Sequence, residues 1–270
     1  MSLIQSTNNI MKHYFLISLS FILLQVTGSA QIQQITLKVS DDIELIQLSD
    51  NAYIHISISE IEGFGNVSSN GILLIKGGEA FLFDTPVTNE QTETLTKYIQ
   101  NSLHAKISTF VPNHWHSDCM GGLNYLHKNK VKSYANQMTI DISKKEGKPV
   151  VPLHSFTDSL SLNLKGIEIK CYFLGGGHSV DNIVVWVPSE KLLFPGCMVK
   201  DMPSTSLGNL ADAAVNEWPG TIEKVINKFP DAKTVVPGHG SLGGKELLNH
   251  TRDLLLIHTT KNTVQTGSDE

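Results

Sequence analysis

The strongest constraint on the fold is a set of six potential metal ligands that follow apolar segments with the pattern of buried strands. A His-x-His-x-Asp motif comes just after the apolar segment 107–111. Two more histidines and one cysteine follow three further segments of this kind, each with glycine beside it. The six residues are His114, His116, Asp118, His178, Cys197 and His239. Because side chains at strand ends converge in layered α/β folds, we expect the fold to bring these six together.

The types and spacing of these residues predict a metal centre. Residues two apart in extended chain point to the same side, which places His114 and His116 together. Asp118 can reach the same region as the chain turns into the next helix. Four imidazoles, a carboxylate and a thiolate match two borderline metal ions, each with three protein ligands and an open position for water. The thiolate favours zinc over magnesium or calcium.

Apolar periodicity predicts strands and helices in alternation around this motif. Gly77-Gly78 separates two apolar segments and predicts a β-hairpin between 71–75 and 80–84. Thr88 and Gln91 form a capping box that predicts the start of a helix. Strands with helices on their outer faces predict an α/β fold of the layered-sandwich type. Further helices are predicted over 119–128, 136–146 and 247–258, and behind Pro219.

Composition limits the class of protein and its partners. Hydrophobic residues make up 40% of the 270 residues and charged residues 17%, which is typical of a compact globular chain. A net charge of −5 without a block of Lys or Arg argues against nucleic acid as a partner. Three cysteines are too few for a disulfide scaffold. We expect a single domain over residues 31–270.

The first thirty residues have the pattern of a secretory signal peptide. Lys12 precedes a short apolar segment at 14–26, and small residues at Gly28-Ser29-Ala30 form a cleavage site. The apolar segment is short for a membrane span, although an uncleaved anchor is the alternative. We expect cleavage after Ala30, a periplasmic mature protein and no stable membrane association.

The order of the six residues resembles class B metallo-β-lactamases of the first subclass. Three stretches bring the chain close to the CcrA type within that subclass: 112–116, 134–141 and 181–186. The resemblance runs from about Ser40 to the end of the mature domain. It implies a four-layer αββα sandwich with the zinc site at one edge of two facing sheets. It also implies that zinc-bound hydroxide opens the β-lactam ring of penicillins, cephalosporins and carbapenems, which confers antibiotic resistance.

The resemblance assigns the six residues to two zinc ions per chain. The first ion is bound by His114, His116 and His178. The second ion is bound by Asp118, Cys197 and His239. Asp118 counts among the catalytic residues as an ionised ligand, which makes it a poor general base.

The same resemblance implies roles for residues outside the ligand set. Lys200 binds the carboxylate that β-lactams carry beside the ring nitrogen. Asn209 acts in substrate binding and catalysis, by positioning the lactam carbonyl and stabilising its developing oxyanion. Two roles come from the residues themselves. The two glycines that flank Phe64 predict a mobile flap over the substrate, with a buried hairpin phenylalanine as the alternative. Asp84, at a strand end, is expected to orient the His-x-His loop, with a simple strand-end cap as the alternative. The implied substrate is a small molecule. Nothing in the sequence requires a partner protein, and we expect a monomer.

Single positions separate this family from others of the same fold. Cys119 stands directly after Asp118, where glyoxalase-II-like hydrolases and the third β-lactamase subclass have histidine. His114 stands where the second subclass usually has asparagine. Two alternatives stay open from the sequence. One is another hydrolase of this fold, acting on a thioester, lactone or phosphodiester, and the other is a non-catalytic zinc-binding protein of the cell envelope.

Two residues depart from the usual pattern of the family. Pro195 stands before Gly196, where glycine is common, and proline fixes φ and removes an N–H donor. We expect the Cys197 loop to be shifted or stiffened. Asp201 follows Lys200 and is expected to neutralise part of its charge. Both changes bear on rate and substrate range.

Overall fold

Two β-sheets face each other across a shared apolar core. They are seen in a computed structural model, which describes residues 35–61 and 63–266, with side chains to residue 260. The inner core combines Ile72 and Phe83 of the first sheet with Ile169, Val185 and Phe194 of the second. The predicted signal peptide lies outside the described residues. Within those residues, no helix has the length and apolar character needed to cross a membrane.

The first sheet has eight strands in sequence order. The first five run antiparallel, and the pairs β5–β6, β6–β7 and β7–β8 run parallel. Its strands are β1 (Ile35–Lys38), β2 (Ile43–Gln47), β3 (Ala52–Ile61), β4 (Gly65–Lys76), β5 (Glu79–Phe83), β6 (Lys106–Val111), β7 (Lys132–Asn136) and β8 (His154–Phe156).

The second sheet has five strands in the order β13-β12-β11-β10-β9. Its strands pair antiparallel except β12 and β13, which run parallel. They are β9 (Ser159–Leu164), β10 (Ile167–Tyr172), β11 (Val184–Val187), β12 (Leu192–Gly196) and β13 (Thr234–Pro237).

Helices cover the outer face of each sheet. Leu95 of α1 and Leu126 of α3 pack with Leu73 and Leu82, whose side chains alternate with the inner residues of β4 and β5. The helices α5 and α6 pack against the other face of the second sheet. The predicted αββα sandwich is therefore confirmed. The helices are α1 (Asn89–Asn101), α2 (Ser117–Met120), α3 (Leu123–Lys128), α4 (Gln137–Lys145), α5 (Trp218–Lys228) and α6 (Glu246–Thr266).

The start of α1 follows the prediction in part. The Thr88 side chain accepts a hydrogen bond from the Gln91 backbone N–H, as a capping residue does. The Gln91 side chain makes no reciprocal bond to Thr88. It donates to Asp42 Oδ2 and to the carbonyl of Ile58 instead, which joins α1 to the first sheet.

The prediction of one helix over 119–128 was wrong. Two short helices, α2 and α3, meet at Gly121-Gly122. A Cβ atom at Gly121 would lie 1.7 Å from the carbonyl oxygen of Val87, and one at Gly122 would lie 1.9 Å from Thr92 Oγ1. The chain passes so close to α1 and to the segment before it that only glycine fits at these two positions. This close packing interrupts the predicted helix.

Candidate metal centre

Three strands end beside the predicted ligands. The strand β6 ends at Val111, before the His-x-His-x-Asp motif. The strand β12 ends at Gly196, directly before Cys197, and β13 ends at Pro237, two residues before His239. The fold therefore brings the loops with the predicted ligands to one edge of the sandwich.

A buried amide ties these loops together. The Asn113 backbone N–H donates to Asp84 Oδ1 at 2.5 Å, and its Nδ2 donates to the carbonyl of Ile183 at 2.6 Å. Asn113 Oδ1 accepts a hydrogen bond from Asn182 Nδ2 at 2.9 Å. Buried polar groups need such partners, so these bonds fix the loop after β6 against the loop before β11. The first loop carries His114 and the second carries His178.

Asp84 holds the same loop through its hydrogen bond with Asn113, as the sequence predicted. Its backbone has a positive φ of 59°, and its carboxylate accepts the hydrogen bond from the Asn113 N–H. His55 Nε2 donates to the Asp84 carbonyl at 3.0 Å, and burial lowers the pKa of His55 to about 4, which keeps it neutral. Burial raises the pKa of the Asp84 carboxyl well above its usual range. His55 has no partner motif in the sequence, so its contact with Asp84 could not be predicted.

Three predicted ligands form a cluster of imidazole rings. His114 Nε2 lies 2.9 Å from His116 Nδ1. The His178 ring lies edge-to-face against both, with ring centroids 5.2 Å apart in each pair. The buried Nδ1 of His178 has no hydrogen-bond partner in the part of the chain that the structure describes. Burial lowers the pKa of His178 to about 3, so its ring is neutral.

The other three predicted ligands converge next to this cluster. His239 Nε2 lies 3.1 Å from Asp118 Oδ2 and 3.3 Å from Cys197 Sγ. Cys197 Sγ lies 3.6 Å from Asp118 Oδ2. Burial alone would raise the pKa of Asp118, but the hydrogen bond with His239 and the surrounding histidines hold it well below its usual range. Asp118 is therefore an anion at neutral pH.

The opposite ring nitrogens of two histidines are held by acceptors. His239 Nδ1 donates to the carbonyl of Ser68 at 2.8 Å, which leaves Nε2 facing Asp118 and Cys197. His116 Nε2 pairs with Asp212 Oδ2 at 2.9 Å, which leaves Nδ1 facing His114. Such outer partners fix the tautomer and orientation of metal-binding histidines. Asp212 was missed in the sequence because 96 residues separate it from His116 and no local spacing links them.

Cys119 lies behind the ligands. Its sulfur lies 3.2 Å from His114 Nδ1, and the other ring nitrogen of His114 faces His116. A hydrogen bond between Cys119 and Cys197 lowers the pKa of the Cys197 thiol to about 6. Burial raises the pKa of Cys119 itself well above its usual range. Cys197 is therefore the candidate thiolate ligand, and Cys119 stays a neutral thiol.

The donor set fits zinc. In each of three overlapping groups, the ligand atoms lie within 4.8 Å of one another. Zinc bonds of about 2.0–2.3 Å bring two donors of one ion to within about 4.6 Å of each other, so small side-chain movements suffice. Imidazole and thiolate donors favour zinc over harder cations. The three groups are His114–His116–Asp118, His114–His178–Cys197 and Asp118–Cys197–His239.

The ligands open onto a cleft of about 420 Å³. The structure brings all three predicted substrate residues to its walls. Phe64 is 63% exposed at the tip of the β3–β4 hairpin, between two glycines with positive φ. Asn209 Oδ1 accepts the Ala211 N–H, which leaves its Nδ2 donors unused by this turn. The Lys200 ammonium lies 5.6 Å from the centre of the Trp218 ring.

The two departures from the family pattern leave the ligand set assembled. Pairing between β11 and β12 ends at Phe194, one residue before Pro195. The register between β12 and β13 shifts between Leu193 and Gly196, and Cys197 still reaches His239. Asp201 accepts hydrogen bonds from Ser204 and the Ser241 N–H, and thereby joins two loops at the site. Its predicted effect on substrate binding stays a prediction.

Together, the αββα sandwich and the cluster of nitrogen, sulfur and oxygen donors at its edge define a class of metal-binding protein. Comparison with known families identifies it further. Residues 64–239 match the family model of the metallo-beta-lactamase superfamily. The chain belongs to this superfamily.

Known relatives agree with this assignment. A type 2 metallo-beta-lactamase of Bacteroides fragilis is 55% identical over 226 residues, which cover 84% of this chain and 90% of the relative. The type 2 enzyme of Bacillus cereus is 34% identical, over 79% of this chain and 82% of the relative. Among solved structures, VMB-1 matches with a TM-score of 0.77 and 38% identity, over 82% of this chain and 99% of that one. A metallo-beta-lactamase from Pontibacter korlensis matches with a TM-score of 0.76 and 36% identity, over 79% and 99%.

The close approach at Gly196 generates a test of the site's architecture. Gly196 has φ +58°, and a Cβ there would lie 2.5 Å from the Asn113 side chain. Gly147 has φ +67° with no atom near its Cβ position, which makes it a matched control. We expect Gly147→Ala to cost about 1 kcal/mol and Gly196→Ala about 2–4 kcal/mol, because only the second adds a clash to the strained backbone.

Chemical denaturation measures both costs, and metal analysis after dialysis measures the retained zinc. Gly196→Ala should also lose zinc, because the clash displaces the residue next to Cys197. Equal destabilisation by the two substitutions, with zinc content unchanged in both, would contradict the account.

Proposed function

We propose that the protein hydrolyses the β-lactam ring of penicillins, cephalosporins and carbapenems with two zinc ions, and so confers resistance to these antibiotics. The observation that carries the proposal is the convergence of Asp118, Cys197 and His239 beside three histidines, at an open cleft. The 55% identity to a metallo-beta-lactamase over most of the chain supports the same reaction. The neutral thiol of Cys119, directly after Asp118, replaces the histidine expected in the other hydrolases of this fold.

In this proposal the two ions divide the ligand set. One ion is held by His114, His116 and His178. The other is held by Asp118, Cys197 and His239. When bound, zinc supplies a Lewis acid for the lactam carbonyl and a water molecule that ionises near neutral pH.

The chain's own residues bind and orient the substrate. Lys200 provides a cation for the carboxylate beside the ring nitrogen. Burial lowers the pKa of Lys200, while the anionic Cys197 and Asp118 raise it. Asn209 offers its Nδ2 hydrogens to the oxygen that becomes negative as the ring opens. Phe64, exposed at the hairpin tip, covers the apolar side chain of the substrate and excludes water.

In this proposal Asp118 acts as an anionic metal ligand and does not carry a proton during the reaction. A carboxylate with a pKa far below neutrality takes up no proton at the pH of the reaction. Its oxygens accept the His239 interaction and bind metal, which makes it a catalytic residue through its contact with the zinc centre.

Removal and return of the metal test the proposed reaction. Purified mature protein, residues 31–270, is assayed with a penicillin and a carbapenem as isolated, after chelation, and after zinc is added back. We expect turnover that falls at least about 100-fold on chelation, since the metal supplies several kcal/mol to the transition state, and that zinc restores. A serine-directed acylating inhibitor is the control and should leave the rate unchanged. Zinc-loaded protein that hydrolyses neither substrate would overturn the proposal.

We further propose that residues 1–30 direct the chain to the periplasm and that residues 31–270 act there as a monomer. The basic start, short apolar segment and small-residue site support secretion. All six proposed ligands come from one chain, so the site needs no second copy. Mass spectrometry of protein from the periplasmic fraction should give a chain that starts at Gln31. A chain that keeps residues 1–30 in the membrane fraction would contradict this.

A further inference from the structure

A second lysine lines the cleft and has no role in the proposed reaction. Lys148 follows α4 and borders the same cavity as Lys200, Phe64 and Asn209. Its ammonium lies 5.2 Å from the centre of the Trp115 ring. Among the residues whose side chains the structure describes, no carboxylate lies within ion-pair distance of it. The Lys148 side chain is therefore a half-buried cation whose one described charge contact is an aromatic face.

The backbone fixes where this lysine stands. The α4 helix ends in a Schellman motif, in which the Gly147 N–H donates to the Lys144 carbonyl and the Lys148 N–H donates to the Ser143 carbonyl. Gly147 adopts the positive φ of 67° that this motif requires. The cation therefore extends from a pinned backbone position rather than from a free loop.

Trp115 fixes the other end of the contact. It lies between two proposed zinc ligands, and its ring centroid is 4.7 Å from that of His116. Attraction between an ammonium and an indole face holds the Lys148 side chain against this wall of the cleft. The cation is thereby placed close to the metal centre.

The surroundings of Lys148 differ from those of Lys200. Lys200 lies among anionic ligand candidates, with Cys197, Asp118 and Asp201 all acting on its charge. The cavity that Lys148 borders is also lined by Trp115, Phe64 and Val67, and the Asp212 carboxylate in the same lining pairs with His116. An apolar wall with one cation fits a substituent that has an apolar body and an anionic group.

We propose that Lys148 forms a subsite for an anionic group, a carboxylate or sulfonate, on the acyl side chain of the β-lactam. This inference rests on the proposed hydrolysis and adds a substrate preference to it. Lys200 takes the carboxylate beside the ring nitrogen, and Lys148 takes the second anion of a doubly charged substrate. Lys148 is a specificity residue and takes no part in bond cleavage.

Two penicillins that differ by one carboxylate test the subsite. Benzylpenicillin has an uncharged acyl side chain, and carbenicillin carries a carboxylate on the same side chain. The kcat/KM values for both are measured for the wild-type zinc enzyme and for Lys148→Gln, Lys148→Arg and Lys145→Gln. Lys145 is an exposed lysine at the end of α4, three residues before Lys148, and does not line the cleft, which makes it the matched control.

We expect Lys148→Gln to lower kcat/KM for carbenicillin about two- to fivefold, as for one partly exposed ion pair, and to leave benzylpenicillin unchanged. Lys148→Arg should keep the wild-type ratio between the two substrates, and Lys145→Gln should change neither value. The loss should shrink when ionic strength rises from about 0.05 M to about 0.5 M, because salt screens exposed charges.

The two proposals fail in different ways. Wild-type zinc enzyme that hydrolyses neither penicillin overturns the proposed function and the subsite with it. Wild-type enzyme that hydrolyses both, with equal losses or no loss in Lys148→Gln, overturns the subsite alone. Equal losses would mean that Lys148 acts only by packing on Trp115.

Discussion

The buried amide of Asn113 is the contact on which the arrangement of the site depends. Its backbone N–H donates to Asp84, directly after β5, and its side-chain amide bonds with Asn182 and Ile183, directly before β11. An amide buried without these partners would cost several kcal/mol, so these bonds favour the arrangement of the two loops that satisfies it. Because Gly196 passes against the same side chain, this amide also sets the position of Cys197. One residue thus positions loops from both halves of the sandwich.

Hydrogen-bond partners outside the cluster fix the orientation of the proposed histidine ligands. Ser68 and Asp212 take one ring nitrogen of His239 and His116, and the other nitrogen of each ring faces the cluster. Cys119 does the same for His114. The result is a set of oriented imidazoles beside an anionic carboxylate and a thiol of lowered pKa, and these are donors that a zinc centre uses.

The parts of the fold predicted from sequence are those set by local pattern. The hairpin at Gly77-Gly78 and the cap at Thr88 depend on residues close in the chain, and both are confirmed. The six candidate ligands were also predictable, because they follow strand-like apolar segments and three of them, His178, Cys197 and His239, have glycine beside them. Contacts between distant segments were not predictable in this way. Asp212 and His116, and the break at Gly121-Gly122, depend on which segments the tertiary fold places side by side.

The number of zinc ions bound by ligand variants tests the proposal that one chain holds two three-ligand metal sites. Native mass spectrometry of zinc-loaded wild type, Cys197→Ser and His116→Ala gives this count directly. We expect two ions in the wild type and, at limiting zinc, one in each variant. Cys197→Ser should lose the ion near Asp118 and His239, and His116→Ala the ion near His114 and His178. Cobalt substitution distinguishes the two, because a thiolate-to-metal absorption band should persist in His116→Ala and vanish in Cys197→Ser. A single ion in the wild type, or loss of the same ion in both variants, would contradict this division of the six ligands between two ions.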